Sequence, residues 1–108
     1  MDMAKFVGKH VIVRSDQSGV HFGVLAGVEA HGDLLSTHLS DARRLWSWTV
    51  AGKRGISVTD IAVHGIDQDS SRINAQVPDI IVAGVCEIVP AYGGALLTIP
   101  NAPVATGA

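Results

Sequence analysis

Residues 10–30 read HVIVRS, then DQSG, then VHFGVLAGVEA: a β-branched run, a cluster of turn residues, and a second run that alternates in steps of two. Strand side chains point to opposite faces at successive positions, so the pattern calls for an antiparallel hairpin with one face buried. Val20, Phe22, Val24, Ala26 and Val28 share the face expected inside; His21, Gly23, Leu25, Gly27 and Glu29 share the other. Gly23 and Gly27 predict a bulge, a strong bend, or close approach of another backbone. HGD at 31–33 is a turn, after which LLSTHLSD and RRLWSWTV form one long strand or two short ones.

The period changes after AGKRG. Ser57 is placed to cap a helix, Asp60 stands three residues on as in a capping box, and Ile56 and Ile61 occupy the positions of a hydrophobic staple. Gly65 ends the pattern as a C-terminal cap, leaving a helix of about two turns that lays Val58, Ile61 and Ala62 on the sheet. Residues 67–78 read as a polar loop with room for a short edge strand. DIIVAGVCEIVP is apolar on both parities, which predicts a central strand buried on both faces, kinked or broken at Gly84. In the Gly- and Pro-rich tail, GALLTI allows one helical turn or an added strand. The expected fold is mainly β with a minor α part: a small twisted antiparallel sheet or barrel of five to six strands with one short helix. Residues 1–108 are expected to form a single domain, with 1–8 and 100–108 as terminal arms.

Hydrophobic residues make up 47% of the 108 and charged residues 17%, too apolar for a disordered chain and low in charge for a monomer's surface. Self-association is the expectation, as a homo-oligomer or an assembly subunit. A net charge of −2 argues against general nucleic-acid binding and against attraction to anionic lipid. Cys86 is the one cysteine, expected buried and inert in its apolar run, which suits an intracellular protein. No run has the roughly 18 apolar residues of a membrane span, and MDMAKFVGKH lacks the apolar stretch of a signal peptide.

DARRLWSWT, residues 41–49, holds both tryptophans and two adjacent arginines. On a strand, Arg44, Trp46 and Trp48 share one face, and Arg43, Leu45 and Ser47 the other. Rings beside a guanidinium stack a base and hold a phosphate, so Arg43, Arg44, Trp46 and Trp48 are candidates for a ligand site. The same letters fit tryptophans packed under the helix with Arg44 covering them, or a subunit interface anchored by Trp and Arg. Lys53 and Arg54 add a basic pair before the helix N-terminus, read as a weak anion site or as a solvated turn. AGKRGIS lacks P-loop spacing. His10, His21, His31, His38 and His64 are scattered, and although EAHGD (29–33) offers alternate ligands, no metal motif is present, so neither metal nor cofactor is expected. No catalytic constellation is recognisable, and Asp67 and Asp69 read as loop residues.

VIVRS with GVHFGVL, LSDARRLWSW, ISVTDIAVHGI and VPDIIVAGVCEIVPA together resemble a family of small bacteriophage- and prophage-encoded proteins of unknown function. The resemblance implies phage origin and a compact β-rich fold with a short helix, and transfers no site. The functional expectation is a non-enzymatic phage accessory protein, self-associating or bound to capsid or virion proteins as a stabilising subunit, in the virion or the host cytoplasm. The alternative is an anti-defence protein that sequesters a nucleotide signal at the Arg/Trp segment; a hydrolase with an unrecognised site is a weaker third.

Overall fold

β1 (His10–Ser15) and β2 (Gly19–His31) form the hairpin that the alternation calls for, with Ile12 opposite Phe22 and Val13 opposite His21. The computed structural model describes residues 2–107. β2 turns back at Gly32, whose φ of 62° is left-handed, into β3 (Leu34–Ser47), a single strand rather than two. Two irregularities interrupt the β2–β3 pairing. Val24 faces Ser40 and Phe22 faces Arg43, so Asp41 and Ala42 together oppose Gly23 in a bulge, with Asp41 at a φ of 50°. A Cβ on Gly23 would lie 3.0 Å from the Ser40 carbonyl oxygen, which is the close backbone approach its position implied. The second irregularity falls between Leu25 and Gly27.

A second core on the other face of the sheet overturns the simple inside–outside division of β2. Val20 and Phe22 are buried, but Leu25, expected on the outer face, is fully buried, and Ala26 is exposed. The first extra residue lies in β3, so Leu45 faces the core of Phe22 while Leu39 faces that of Leu25; the second lies in β2 and turns Val28 towards the core of Leu25.

β3 leads through a 3-10 turn (Ala51–Lys53) into α1 (Val58–His64), then β4 (Arg72–Ile73), β5 (Val77–Val82), β6 (Val85–Pro90) and α2 (Gly93–Thr98). The six strands make one antiparallel sheet in the order β4-β3-β2-β1-β6, with β5 also on β3. It is an open sheet, not a barrel. DIIVAGVCEIVP is not a central strand: Gly84, at a φ of 66°, breaks it into β5 and β6, which lie at opposite edges. Ile81 is therefore 72% exposed, and Cys86 is exposed rather than buried, its thiol 3.3 Å from the Arg14 carbonyl oxygen. An apolar run on both parities reads the same whether its second face is buried or left open at an edge.

The chain crosses from one edge to the other in two residues, Ala83 and Gly84, and the Ser15 hydroxyl fastens that corner by donating to the Ala83 carbonyl at 2.9 Å. Such a short crossing requires the sheet to curl. Inside the curl lie Val11, Val13, Leu25, Leu39, Val82 and Val85. Ile12 alternates with Val11 and Val13 and so points to the other face, where Val20, Phe22 and Leu45 meet α1 and α2. The helices, seven and six residues long, are too short to persist alone and are held by this burial. Ile61 and Ile99 are fully buried, each contributing roughly 1.5–3 kcal/mol. The second helix is an addition to the one expected, formed by the first of the two conformations that GALLTI allowed.

At the start of α1 the Asp60 carboxylate accepts from the Ile56 and Ser57 amides at 2.9 and 3.0 Å and from the Ser57 hydroxyl at 3.0 Å. The staple is not made, since Ile56 is 88% exposed. The Ser57 and Ile56 amides, then the Ser57 hydroxyl, hold the Asp60 pKa below its ordinary value. A depressed carboxylate pKa means that the unfolded chain binds the proton more readily, so its stabilisation is present at neutral pH and lost as pH falls through the folded-state value. Asp60→Asn should lower the melting temperature at pH 7, and thermal melts into acid should show the difference from the parent closing below the usual carboxylate range. A difference that stays constant with pH would contradict the assignment.

Candidate functional site

The outer edge of β3 is covered in two pieces. β5 pairs with Thr37–Ala42 and β4 with Leu45–Ser47, leaving a notch at Arg43 and Arg44 where the Asn74 amide donates to the Arg44 carbonyl at 2.9 Å. The two adjacent arginines leave this notch on opposite faces of the sheet.

Arg43 turns inward and is 4% exposed. Its Nε donates to the Asn74 carbonyl at 2.8 Å, and its Nη1 to the carbonyls of Ile99 and Ala102 at 2.8 Å and of Pro100 at 3.3 Å. Burial pulls its pKa down, yet a guanidinium remains charged, and here carbonyl dipoles at the end of α2 take the place of a carboxylate. Of the sequence candidates, Arg43 is thus committed to the fold.

Arg44 turns outward over a cavity of about 310 Å³, lined also by His21, Ala42, Asn74, Val77 and Ile80. His21 is its cross-strand partner and is buried. The His21 Nε2 lies 2.8 Å from the Ser18 carbonyl oxygen, which can only accept, so Nε2 carries the proton and Nδ1 of the neutral ring is bare. Burial, and to a smaller degree the charge of Arg44, push the His21 pKa down, against the raising effect of the Ser18 bond. His21 stays neutral beside Arg44 at neutral pH.

Trp46 is on the same face as Arg44, 69% exposed, beside a second cavity of about 460 Å³ shared with Arg72, Asn74 and Thr106. Asn74 lines both cavities, which adjoin at this residue and are together called the groove. The Arg72 Nη2 donates to the Thr106 carbonyl at 2.8 Å, and among the described residues neither Arg44 nor Arg72 forms an ion pair. Trp48 leaves this face because β3 ends at Ser47; it packs against the helix-side core, with Nε1 donating to the Ile56 carbonyl at 3.2 Å.

Lys53 and Arg54 are exposed, and Arg54 Nε donates to the Ala51 carbonyl at 3.2 Å. The Ile56 and Ser57 amides before α1 are bonded to the Asp60 carboxylate. The histidines do not converge: His31 pairs with Glu29 at 3.3 Å and His38 with Asp79 at 2.9 Å, both on the surface. Among the described residues no three metal-ligating side chains gather.

The groove therefore brings Arg44 and Trp46 together as parity predicted, sends Arg43 and Trp48 elsewhere, and adds His21, Arg72 and Asn74. His21 could be found only from the β2–β3 register, and Arg72 and Asn74 sit in a stretch whose polarity is ordinary for a loop. The groove is thus a cationic notch beside an exposed ring, with the His21 imidazole among its lining. The model of a protein family described as a domain of unknown function, DUF6948, matches residues 8–99. No curated protein and no solved structure matches the chain.

Proposed function

This chain belongs to the DUF6948 family of unknown function, and we propose that it is a non-enzymatic phage accessory protein that acts by self-association or by docking on a larger assembly, as a virion or capsid-stabilising subunit. The observation that carries this reading is the apolar outer surface of the helical layer. Val63, Tyr92, Leu96 and Leu97 are all exposed there, Leu97 at 72%, and the Tyr92 amide donates to the Ala62 carbonyl at 2.8 Å, placing Tyr92 beside Val63. Leu97 is free of the core because Ala95 and Ile99 fill that role on the opposite side of α2. Large apolar side chains grouped on a layer with few charges are the composition of an interface centre. The phage setting rests on the resemblance of the ARRLWSW and EIVP segments to phage and prophage proteins.

Sedimentation analysis should find the 11.3 kDa chain in a species larger than a monomer, and Leu97→Glu should weaken association by about 1–3 kcal/mol, roughly 5- to 150-fold. A monomeric parent chain, together with its absence from purified particles by mass spectrometry, would refute the reading. A second reading is favoured by the groove: the protein sequesters a nucleotide signal at Arg44 and Trp46.

A further inference from the structure

We propose that the Arg44–Asn74–Trp46–Arg72 groove binds a nucleotide with a phosphate on each side of one base, the arrangement found in a dinucleotide or a small cyclic oligonucleotide. The proposal rests on the sequestration reading and specifies its ligand. Trp46 is 69% exposed near the end of β3, the extra residue between Leu45, opposite Ile73, and Ser47, opposite Arg72, so paired residues flank it on both sides. Arg44 lies two residues back on the same face, about 7 Å along the strand. Arg72 lies on the neighbouring strand, one residue from Ile73, which opposes Leu45. Ile73 and Leu45 both point into the helix-side core, so Arg72 is turned to the face of Trp46.

Trp46 and Arg72 thus line one cavity and Arg44 the other, the two meeting at Asn74. Neither guanidinium is neutralised by a carboxylate within ion-pair distance among the described residues, on a chain whose net charge is −2. Guanidiniums fork onto phosphate oxygens, and a base stacks on the indole whatever its identity. A single terminal phosphate would engage one arginine and leave the other unused. A base between two phosphodiester or phosphomonoester groups engages both. Asn74, whose backbone amide is bonded to Arg44, stands between the two cavities, where its side-chain amide can read the edge of the stacked base. The apolar walls at Ala42, Val77 and Ile80 give a neighbouring sugar or second base a place out of water.

The test uses the full chain carrying Trp48→Phe, which leaves Trp46 as the sole indole reporter. Titration with cyclic di-AMP and with linear pApA should quench Trp46 fluorescence, and AMP and adenosine should bind at least tenfold more weakly. Trp46→Ala, followed by calorimetry, should weaken binding of the same probes about 5- to 150-fold. Arg44→Ala and Arg72→Ala should each weaken it at least tenfold, with melting temperature recorded for each variant because Arg72 also holds the Thr106 carbonyl. Binding that needs Arg44 and Trp46 but is unchanged in Arg72→Ala would overturn the two-phosphate assignment and leave sequestration standing. AMP binding as tightly as pApA would have the same meaning. No binding by any of these probes, or tighter binding of a ten-nucleotide thymidine strand, would overturn both. Hydrolysis of a bound dinucleotide would uphold the groove and overturn sequestration.

Discussion

Arg43→Ala is expected to lower the free energy of unfolding by about 3–5 kcal/mol, whereas Arg44→Ala, one residue away, should change it by no more than about 0.5 kcal/mol. The contrast follows from the two faces. Arg43 is 4% exposed and supplies donors to the carbonyls of Asn74, Ile99, Pro100 and Ala102, so its removal strands several buried acceptors at once. Hydrogen bonds from a charged donor are worth about 1.5–3 kcal/mol each, and a buried acceptor left without a partner costs a further 1–3, though bonds sharing one side chain do not add fully. Since a domain of this size holds about 5–15 kcal/mol in total, the variant should be close to unfolding at 37 °C. Arg43→Lys should recover only part of the loss, because an ammonium has three donors on one atom and cannot span two directions as the guanidinium fork does. Urea unfolding at a constant m-value gives the number, and hydrogen exchange should show the end of α2 and residues 100–102 opening first. A loss under about 1 kcal/mol would mean that the tail is held by something else.

That clamp marks the boundary of what the letters of this chain disclose. The β1–β2 hairpin and α1 were readable because their causes are local: DQSG sets a turn, and Ser57, Asp60 and Gly65 bracket a helix within a few residues. In DIIVAGVCEIVP the break at Gly84 is legible but the edge positions of its two halves are not, because burial at an edge depends on what lies beside it and Gly84 does not say which way the chain turns. The parity of DARRLWSWT grouped Arg44 with Trp46 correctly, and failed for Trp48 only where the strand stops. Parity also separated Arg43 from Arg44, but its partners lie 31 to 59 positions away in sequence, and nothing near residue 43 points to them. Arg72 and His21 join the groove through pairing register: the two β2–β3 bulges compensate and keep His21 opposite Arg44, whereas the shift between Leu45 and Ser47 moves Arg72 opposite Ser47.

Gly65→Ala should cost about as much as losing Arg43, roughly 3–5 kcal/mol, for a reason that is purely geometric. Gly65 has φ 83° and ψ −168°, a region essentially closed to any residue with a Cβ, where strain is about 1–3 kcal/mol. A Cβ there would also collide with the Gly94 carbonyl oxygen and the Thr98 hydroxyl, adding overpacking of about 1–3 kcal/mol. Gly19→Ala is the control: its φ is also 83°, but a Cβ would have no neighbour within 4 Å, so the loss should stay near 1–2 kcal/mol. Equal losses at the two sites would remove packing from the explanation. The collision matters beyond α1, because Gly94 and Thr98 belong to α2, the helix whose terminal carbonyls Arg43 binds. Substitution at Gly65 should push α2 from its seat and so loosen the contacts that Arg43 makes. The two losses should then overlap: in a stabilising osmolyte, the double variant should be less destabilised than the sum of the singles by about 1–2 kcal/mol. Additivity within about 0.5 kcal/mol would instead mean that α2 stays seated and that the clamp and the helix crossing act independently.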